Sequence, residues 1–264
     1  MPQRSKFERG KKRTRNSHAF LLYGFLAIWF AISFFVLPLS AKAQGGDAHD
    51  EVWPEAWIWL KTSEDQRLFI YNSYTMSLDD DMTKTQIGAG YSWSLLQNDL
   101  ALLGWMVGRE SEEDFRTFTA RAGFRYGWSL HDDGKSYKES QIPLEFFIRW
   151  HIFGQTLLTD RNRLELRTVN DDRFINYRNR LIIERQIRIG TLIRMKPYLY
   201  AEIFYDNRYQ TFNRTQVAIG ATISPFSWLT ADGYYAHIND TRAEIKYTNA
   251  VGLILNFYFD PFHF

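Results

Sequence analysis

The sequence predicts an all-β chain, a transmembrane antiparallel β-barrel of about twelve strands (ten is the alternative count) behind a cleavable helical signal peptide. Three observations predict it. The N-terminus is basic, then apolar, then small-residue. Cysteine is absent while aromatic residues make up 17% of the chain. Long segments alternate apolar and polar residues with a period of two, the mark of strands with one apolar face.

Residues 1–18 hold seven Lys/Arg (Arg4, Lys6, Arg9, Lys11, Lys12, Arg13, Arg15) and one acid, Glu8. An apolar run follows from Ala19 to about Leu39, and Ala41-Lys42-Ala43 forms a small-x-small site ahead of Gln44. These parts together describe a secretory signal peptide. The expected division is therefore residues 1–43 as signal peptide, cleaved after Ala43, and 44–264 as one barrel domain. An uncleaved anchor is the other reading, since ~18–20 apolar residues span a bilayer.

The leader also sets the charge. The whole chain has 32 basic and 30 acidic residues; residues 1–43 hold eight and one, so the rest carries 24 and 29, a net charge of −5. A nucleic-acid partner, which requires a basic surface, is not expected. The lack of cysteine excludes a disulfide-stapled secreted domain, cysteine nucleophiles and thiolate metal sites.

The alternation is clearest from residue 115. Phe118, Ala120, Ala122, Phe124, Tyr126 and Trp128 share one face, and Thr117, Thr119, Arg121, Gly123, Arg125 and Gly127 the other. Residues 141–152 repeat the pattern, with Ile142, Leu144, Phe146, Ile148 and Trp150 against Gln141, Glu145, Phe147, Arg149 and His151. An apolar face ending in aromatics suits lipid and the interfacial girdles of an outer-membrane barrel, and the polar face suits the lumen. Phe146 is thus expected to meet lipid, and its lumen-row neighbour Phe147 to tolerate replacement far better. The candidate strands are 55–61, 66–75, 83–94, 99–108, 115–128, 139–151, 161–168, 174–186, 197–205, 212–223, 228–237 and 245–259. The first, Trp-rich segment alternates least cleanly. The last carries Val251, Leu253, Leu255, Phe257 and Phe259 at every second position, which fits a closing strand that barrel-assembly machinery would recognise. Phe259 is expected to end it, with 260–264 as a tail.

Parity assigns the lumen charges. Arg67, Lys84, Arg121, Arg125, Arg149, Arg163, Arg167, Arg178, Arg180 and Arg214 stand against Glu145, Glu165, Glu184, Glu202 and Asp232, ten minus five, or +5. The densest group lies on 161–168 and 174–186. A hairpin around Asp171-Asp172 would bring Glu165 opposite or diagonal to Arg178 and Arg180. Two roles are open for such a lining: an internal ion-pair network that fills a narrow barrel, or arginine rings that favour anionic solutes in a pore.

Residues 161–186 (RNRLELRTVNDDRFINYRNRLIIERQ), followed by KPYLYAEIFYDN and FNRTQVAIGATISPFSWLTADGYYAH, resemble the bacterial outer-membrane proteins grouped as domain of unknown function 2490. An Arg-rich strand pair, a Pro-Tyr-x-x-x-Glu strand, an Asn-Arg strand and a C-terminal strand carry the likeness, at Arg178, Arg180, Pro197, Tyr198, Glu202, Asn213, Arg214 and Tyr234. It covers about 160–259 well, and the tail after Phe259 departs from it. The resemblance implies location and fold, and no established activity.

No catalytic constellation stands out. Past residue 43 the histidines are His49, His131, His151, His237 and His263. His237-Ile238-Asn239-Asp240 lacks the serine of a His-x-Ser-Asn lipid-hydrolase arrangement, and His151 has no positioned serine. No His-x-x-x-His pair or Gly-rich phosphate loop calls for a metal or cofactor. Asp79-Asp80-Asp81 offers carboxylates for Ca²⁺, or for bridging lipopolysaccharide; a solvated loop is the plainer reading.

The sequence therefore leads to a passive outer-membrane barrel in contact with lipid and lipopolysaccharide, a narrow pore or carrier for small anionic solutes. Its alternatives are a lipid-handling or lipid-hydrolysing enzyme and an occluded structural or sensory barrel. N-terminal sequencing of the exported protein should return Gln44, and unheated folded protein should migrate differently from boiled protein on an SDS gel. Recovery from the inner membrane with Met1 intact would contradict this.

Overall fold

A strand that is apolar on one face over ten or more residues must bury its backbone edges as well as choose a solvent for that face. Closing the sheet on itself removes the edges. The computed structural model describes residues 48–79, 82–95, 117–130, 136–153, 155–189, 193–242 and 246–260, within a unit running from Lys42 to Phe264. Residues 1–43, the expected signal peptide, lie outside the described residues.

The strands are β1 (Ala48–Lys61), β2 (Gln66–Ser77), β3 (Thr83–Leu95), β4 (Phe118–Leu130), β5 (Tyr137–Phe153), β6 (Thr156–Val169), β7 (Asp172–Arg185), β8 (Ile187–Ile189), β9 (Ile193–Asp206), β10 (Thr211–Phe226), β11 (Leu229–Asp240) and β12 (Tyr247–Phe259). β8 is a three-residue strand that pairs with the start of β9. The other eleven form a closed cylinder in chain order, with β7 beside β9 and β12 beside β1. Neighbours are antiparallel except at the seam, where β1 and β12 run parallel from Ala48↔Tyr247 to Leu60↔Phe259. An odd number of up-and-down strands forces this, because the first and last then point the same way.

Among the described residues the barrel wall has eleven strands, between the expected counts of about twelve and ten. Eleven of the twelve anticipated segments coincide with barrel strands. The remaining one, 99–108, lies outside the described residues. β3 and β4, which flank it in the chain, pair directly from Thr83↔Leu130 to Leu95↔Phe118. Phe259 ends β12 as expected, and Asp260 just beyond it forms an ion pair with Lys61 at 3.2 Å. Between β6 and β7 the chain reverses at Asn170-Asp171, both with positive φ (46° and 78°). That conformation suits a two-residue hairpin and favours Asn and Asp.

Parity holds along the wall. Phe124, Phe146, Ile142, Val217, Ile219, Val251 and Leu253 are exposed on the outside, while Thr117, Thr119, Arg125, Gln141, Glu145 and Phe147 are buried inside. Phe118, Leu144 and Leu255 face outward as well, half-buried against neighbours. Aromatic pairs mark both rims of the belt: Phe226 stacks on Trp228 at one end (5.3 Å between centroids) and Tyr126 lies against Trp128 at the other (6.0 Å). β1 alternates poorly in sequence because both its faces are apolar. Trp57 and Trp59 point into the lumen, packed on Phe69 and Tyr71, and Leu60 points out. Gly88 and Gly90 make this possible, since a Cβ at either position would collide with the Tyr71 or Phe69 ring.

One expectation is overturned. Phe147 is not a dispensable lumen residue. It is buried, with the guanidinium groups of Arg121, Arg149 and Arg161 over its ring at 4.4, 5.4 and 5.5 Å. A lumen filled with side chains is a core, so both faces of β5 resist change. Phe146→Arg should cost about 2–4 kcal/mol at the middle of the belt. Phe147→Ala should cost a comparable ~3–5 kcal/mol through the cavity it leaves. Chaotrope unfolding in lipid vesicles checks both; a neutral Phe147→Ala would mean the lumen is open there.

Candidate functional site

The interior has two kinds of wall. β4 to β9 carry charge; β1, β2 and β9 to β12 carry mostly aromatic and small residues. The charged wall arises from register. Arg163 on β6 sits across from Glu145 on β5 and from Arg178 on β7. Arg180 on β7 sits across from Glu202 on β9. Cross-strand neighbours on one face are 4.5–5.5 Å apart in general, within reach of an ion pair.

The result is one continuous lattice. Glu145 forms an ion pair with Arg163 (2.5 Å) and accepts from Arg161 (3.1 Å), with Arg125 at 3.6 Å and Arg121 at 3.9 Å. Arg163 also reaches Glu165 (3.0 Å), which Arg178 contacts at 3.3 Å. Arg178 then grips Glu202 with Nε (2.9 Å) and Nη2 (3.1 Å), and Arg180 completes the chain on Glu202 at 2.6 Å. Glu145, Glu165 and Glu202 are only 4%, 3% and 2% exposed, so these charges are neutralised by each other. Six arginines meet three glutamates, a local balance of +3. Aromatic faces take up part of the excess: Arg125 lies 4.7 Å over Tyr71, Arg121 4.9 Å over Trp59, Arg178 4.3 Å over Phe204 and Arg180 3.9 Å over Tyr200. Cation–π contacts of this kind strengthen when desolvated.

The structure places every anticipated lumen residue on the inner face, but not all in one group. Arg121, Arg125, Glu145, Arg163, Glu165, Arg178, Arg180 and Glu202 form the lattice. Arg149 stands beside it, donating to Thr119 Oγ1 at 2.9 Å. Arg167 pairs with the fully buried Glu139, which also accepts from Lys84 at 2.9 Å. Asp232 accepts the Tyr198 hydroxyl at 2.9 Å, and Glu184 lies on the same level, across from Tyr198. Arg214 pairs with Asp240 at 2.8 Å. The anticipated Glu165–Arg180 contact does not form. The hairpin turns one residue earlier than Asp171-Asp172, which sets Glu165 opposite Asn176 and leaves Arg180 to Glu202. Parity puts Arg161 on the face of Arg163, Glu165 and Arg167, although the count of lumen charges omits it; Glu139, Asp206 and Asp240 were missed because they sit at strand ends. They read as rim residues until the register shows them buried.

At the end of the barrel where β1 begins, the lattice opens into a mouth. Its cavity of about 220 Å³ is lined by Arg167, Arg178, Arg208, Arg214 and Arg242, with Glu165, Asp206 and Asp240 as its acids and Phe204, Tyr205 and Tyr209 as its aromatic sides. Arg208 comes from the turn between β9 and β10. It donates to Asp206 Oδ2 at 2.6 Å while remaining about half exposed. Those hydrogen bonds raise its pKa above the ordinary arginine value, so the rim charge is permanent. On the other side of the mouth, Asp240 also accepts the backbone N–H of Arg242 at 2.9 Å.

His237 lies on the outer face near the same end, with Nδ1 2.9 Å from Asn249 Oδ1 and its ring stacked on Tyr247. His131, His263, Asp80 and Asp81 lie outside the described residues; Asp79 accepts the backbone N–H of Asp50 at 2.6 Å. Among the described residues no group of three or more His, Asp or Glu is arranged to hold a metal ion.

No protein-family model matches the chain, and no curated protein matches it in sequence. Among solved structures, the β domain of the Bordetella autotransporter BrkA is similar at 12% identity, with a TM-score of 0.46 over 71% of this chain and 82% of that one. A bacterial polysaccharide outer-membrane secretin is similar at 11% identity and TM-score 0.42, over 74% and 64%. The siderophore receptor PirA from Pseudomonas aeruginosa gives 10% identity and TM-score 0.27, over 70% and 33%. At such identities no residue assignment transfers, and the register and ion pairs above rest on this chain alone.

Removing a shared carboxylate leaves several arginines facing one another, whereas removing one arginine relieves crowding. Glu145→Gln should therefore lose about 3–5 kcal/mol of stability, and Arg121→Gln, the most distant partner, markedly less. Unfolding titrations of the two variants in vesicles test this, and equal losses would show that the lattice is not the shared support described.

Proposed function

We propose that this chain is an integral outer-membrane β-barrel that holds small anionic solutes at its arginine-lined mouth and is closed further in by the arginine–glutamate lattice. The observation that carries the reading is the mouth itself, where five arginines face three acids around an accessible cavity. Planar guanidinium groups bind carboxylate and phosphate oxygens two at a time, and the aromatic sides would cover the apolar part of a small organic anion. The apolar outer belt supports residence in the membrane. The proposal includes kinship with the family grouped as domain of unknown function 2490, export behind residues 1–43, and a role without bond-making chemistry.

A narrow anion-conducting pore is the second reading. The surplus of arginine in the lattice favours it, because unbalanced positive charge along a lumen repels cations. Against it stand the burial of Glu145, Glu165 and Glu202 and the rings laid over the guanidinium groups. Eleven strands also lie closer to the eight that side chains fill than to the 16–18 that leave a water channel.

Titration calorimetry with citrate on the folded protein in detergent should detect binding that weakens as salt rises. Arg208→Glu combined with Arg242→Glu should abolish it while the protein stays heat-modifiable on a gel. Citrate binding that survives this double reversal would remove the mouth from the proposal.

A further inference from the structure

The outward face of β6 and β7 contains a polar island that lumen function does not explain. On β6 the outward row reads Leu158, Asp160, Asn162, Leu164, Leu166; on β7 it reads Ile175, Tyr177, Asn179, Leu181, Ile183. Leu164, Leu166, Ile175, Leu181 and Ile183 are exposed. Asn162 and Asn179 are directly opposite each other, at the centre of both rows. Asn179 Nδ2 donates to Asp160 Oδ1 (2.6 Å) and Asn162 Oδ1 (3.1 Å), Asn162 Nδ2 donates to Asp160 Oδ2 (3.1 Å), and the Tyr177 hydroxyl donates to Asn162 Oδ1 (2.5 Å).

These bonds leave valences over. An amide has two N–H donors and an oxygen that accepts twice. Among the described residues, one N–H of Asn162 and the Oδ1 of Asn179 take no partner, and both side chains are partly exposed on the belt. If the barrel spans the membrane, as proposed above, this level is hydrocarbon, where lipid supplies neither donors nor acceptors. Headgroups and water stay at the interfaces, half a belt away. A protein surface is what can bring hydrogen-bonding groups to this depth.

Asp160 and the Tyr177 oxygen keep further acceptor lone pairs, but between the two amides the leftover groups are one donor and one acceptor on adjacent strands, which makes the amide pair complementary to itself. A two-fold axis through it would let the Asn162 N–H of each copy meet the Asn179 oxygen of the other, with the surrounding leucines and isoleucines packing as a rim. Isologous pairing of one patch with itself is the commonest way soluble chains form oligomers, and the geometric requirement is the same in a bilayer. We propose that the β6–β7 face is the contact surface of a two-fold dimer of this chain within the membrane, with the Asn162–Asn179 pair at its centre.

The chain has no cysteine, so single-cysteine variants report without background. Purified protein carrying Leu181→Cys, reconstituted in phosphatidylethanolamine–phosphatidylglycerol vesicles and oxidised, should give covalent dimer as the main product. Val251→Cys, exposed on another part of the wall, should stay monomeric. Adding Asp160→Leu, Asn162→Leu and Asn179→Leu to Leu181→Cys should remove the dimer band while heat-modifiable barrel remains. Monomer alone from Leu181→Cys, equal yields at the two sites, or a dimer that persists in the leucine variant would each overturn the proposal. Should the leucine variant not fold, the comparison of the two cysteine sites still decides. Vesicle flotation separates the two levels of failure: protein that does not float with lipid defeats the membrane reading, and protein that floats without cross-linking defeats the dimer.

Discussion

The structure depends on one constraint: charges enclosed by a barrel must neutralise one another where water is scarce. Glu145, Glu165 and Glu202 do this by each serving two or more arginines. A carboxylate in that position has to be fully ligated, because an unpaired buried charge is far more costly than a hydrophobic substitute. The strand register satisfies this requirement, placing Arg163 between Glu145 and Glu165 and Arg178 between Glu165 and Glu202. The lattice thus ties five successive wall strands together from within.

The aromatic wall packs by different means. Tyr200, Ala218, Ala236 and Ala250 form a buried cluster, with Trp53, Tyr198 and Tyr234 packed against it. The alanines leave room for the rings from the facing strands, and Gly252 lies where a Cβ would strike Tyr234. Gln216 donates to the Tyr200 hydroxyl at 2.6 Å, which pairs the polar tip of that ring. Arginines reach across to this wall and lie on its rings. The surplus positive charge is therefore spread over π faces in the middle and left available at the mouth, where Arg208 and Arg214 are close to half exposed.

Much of this was legible in the sequence, for a physical reason. Period-two alternation over long segments fixes which side chains face in. That is why alternation alone assigns Arg121, Arg125, Glu145, Arg163, Glu165, Arg178, Arg180 and Glu202 to the lumen. What alternation lacks is the partner. Glu202 as the ligand of Arg178 and Arg180 depends on pairing between β7 and β9, which are separated by the β8 excursion. The mouth was illegible for a related reason. Asp206, Arg208, Asp240 and Arg242 come from strand ends and turns, where parity no longer applies. Strand order likewise needs partners: β3 and β4 pair with each other although residues 96–117 separate them in the chain. The polar island on β6 and β7 was visible as Asp160 and Asn162 between leucines, but its significance requires knowing that this row faces outward at mid-belt.

The central claim is that ion pairs and rings close the lumen, the premise of the proposal that the barrel holds anions at one end. Single-channel recording of purified, heat-modifiable protein in a planar lipid bilayer tests it most directly. The account predicts insertion without steady ionic conductance, and conductance appearing once the lattice is thinned by Arg163→Ala together with Glu145→Ala. A stable, anion-selective open state in the unaltered protein would contradict it.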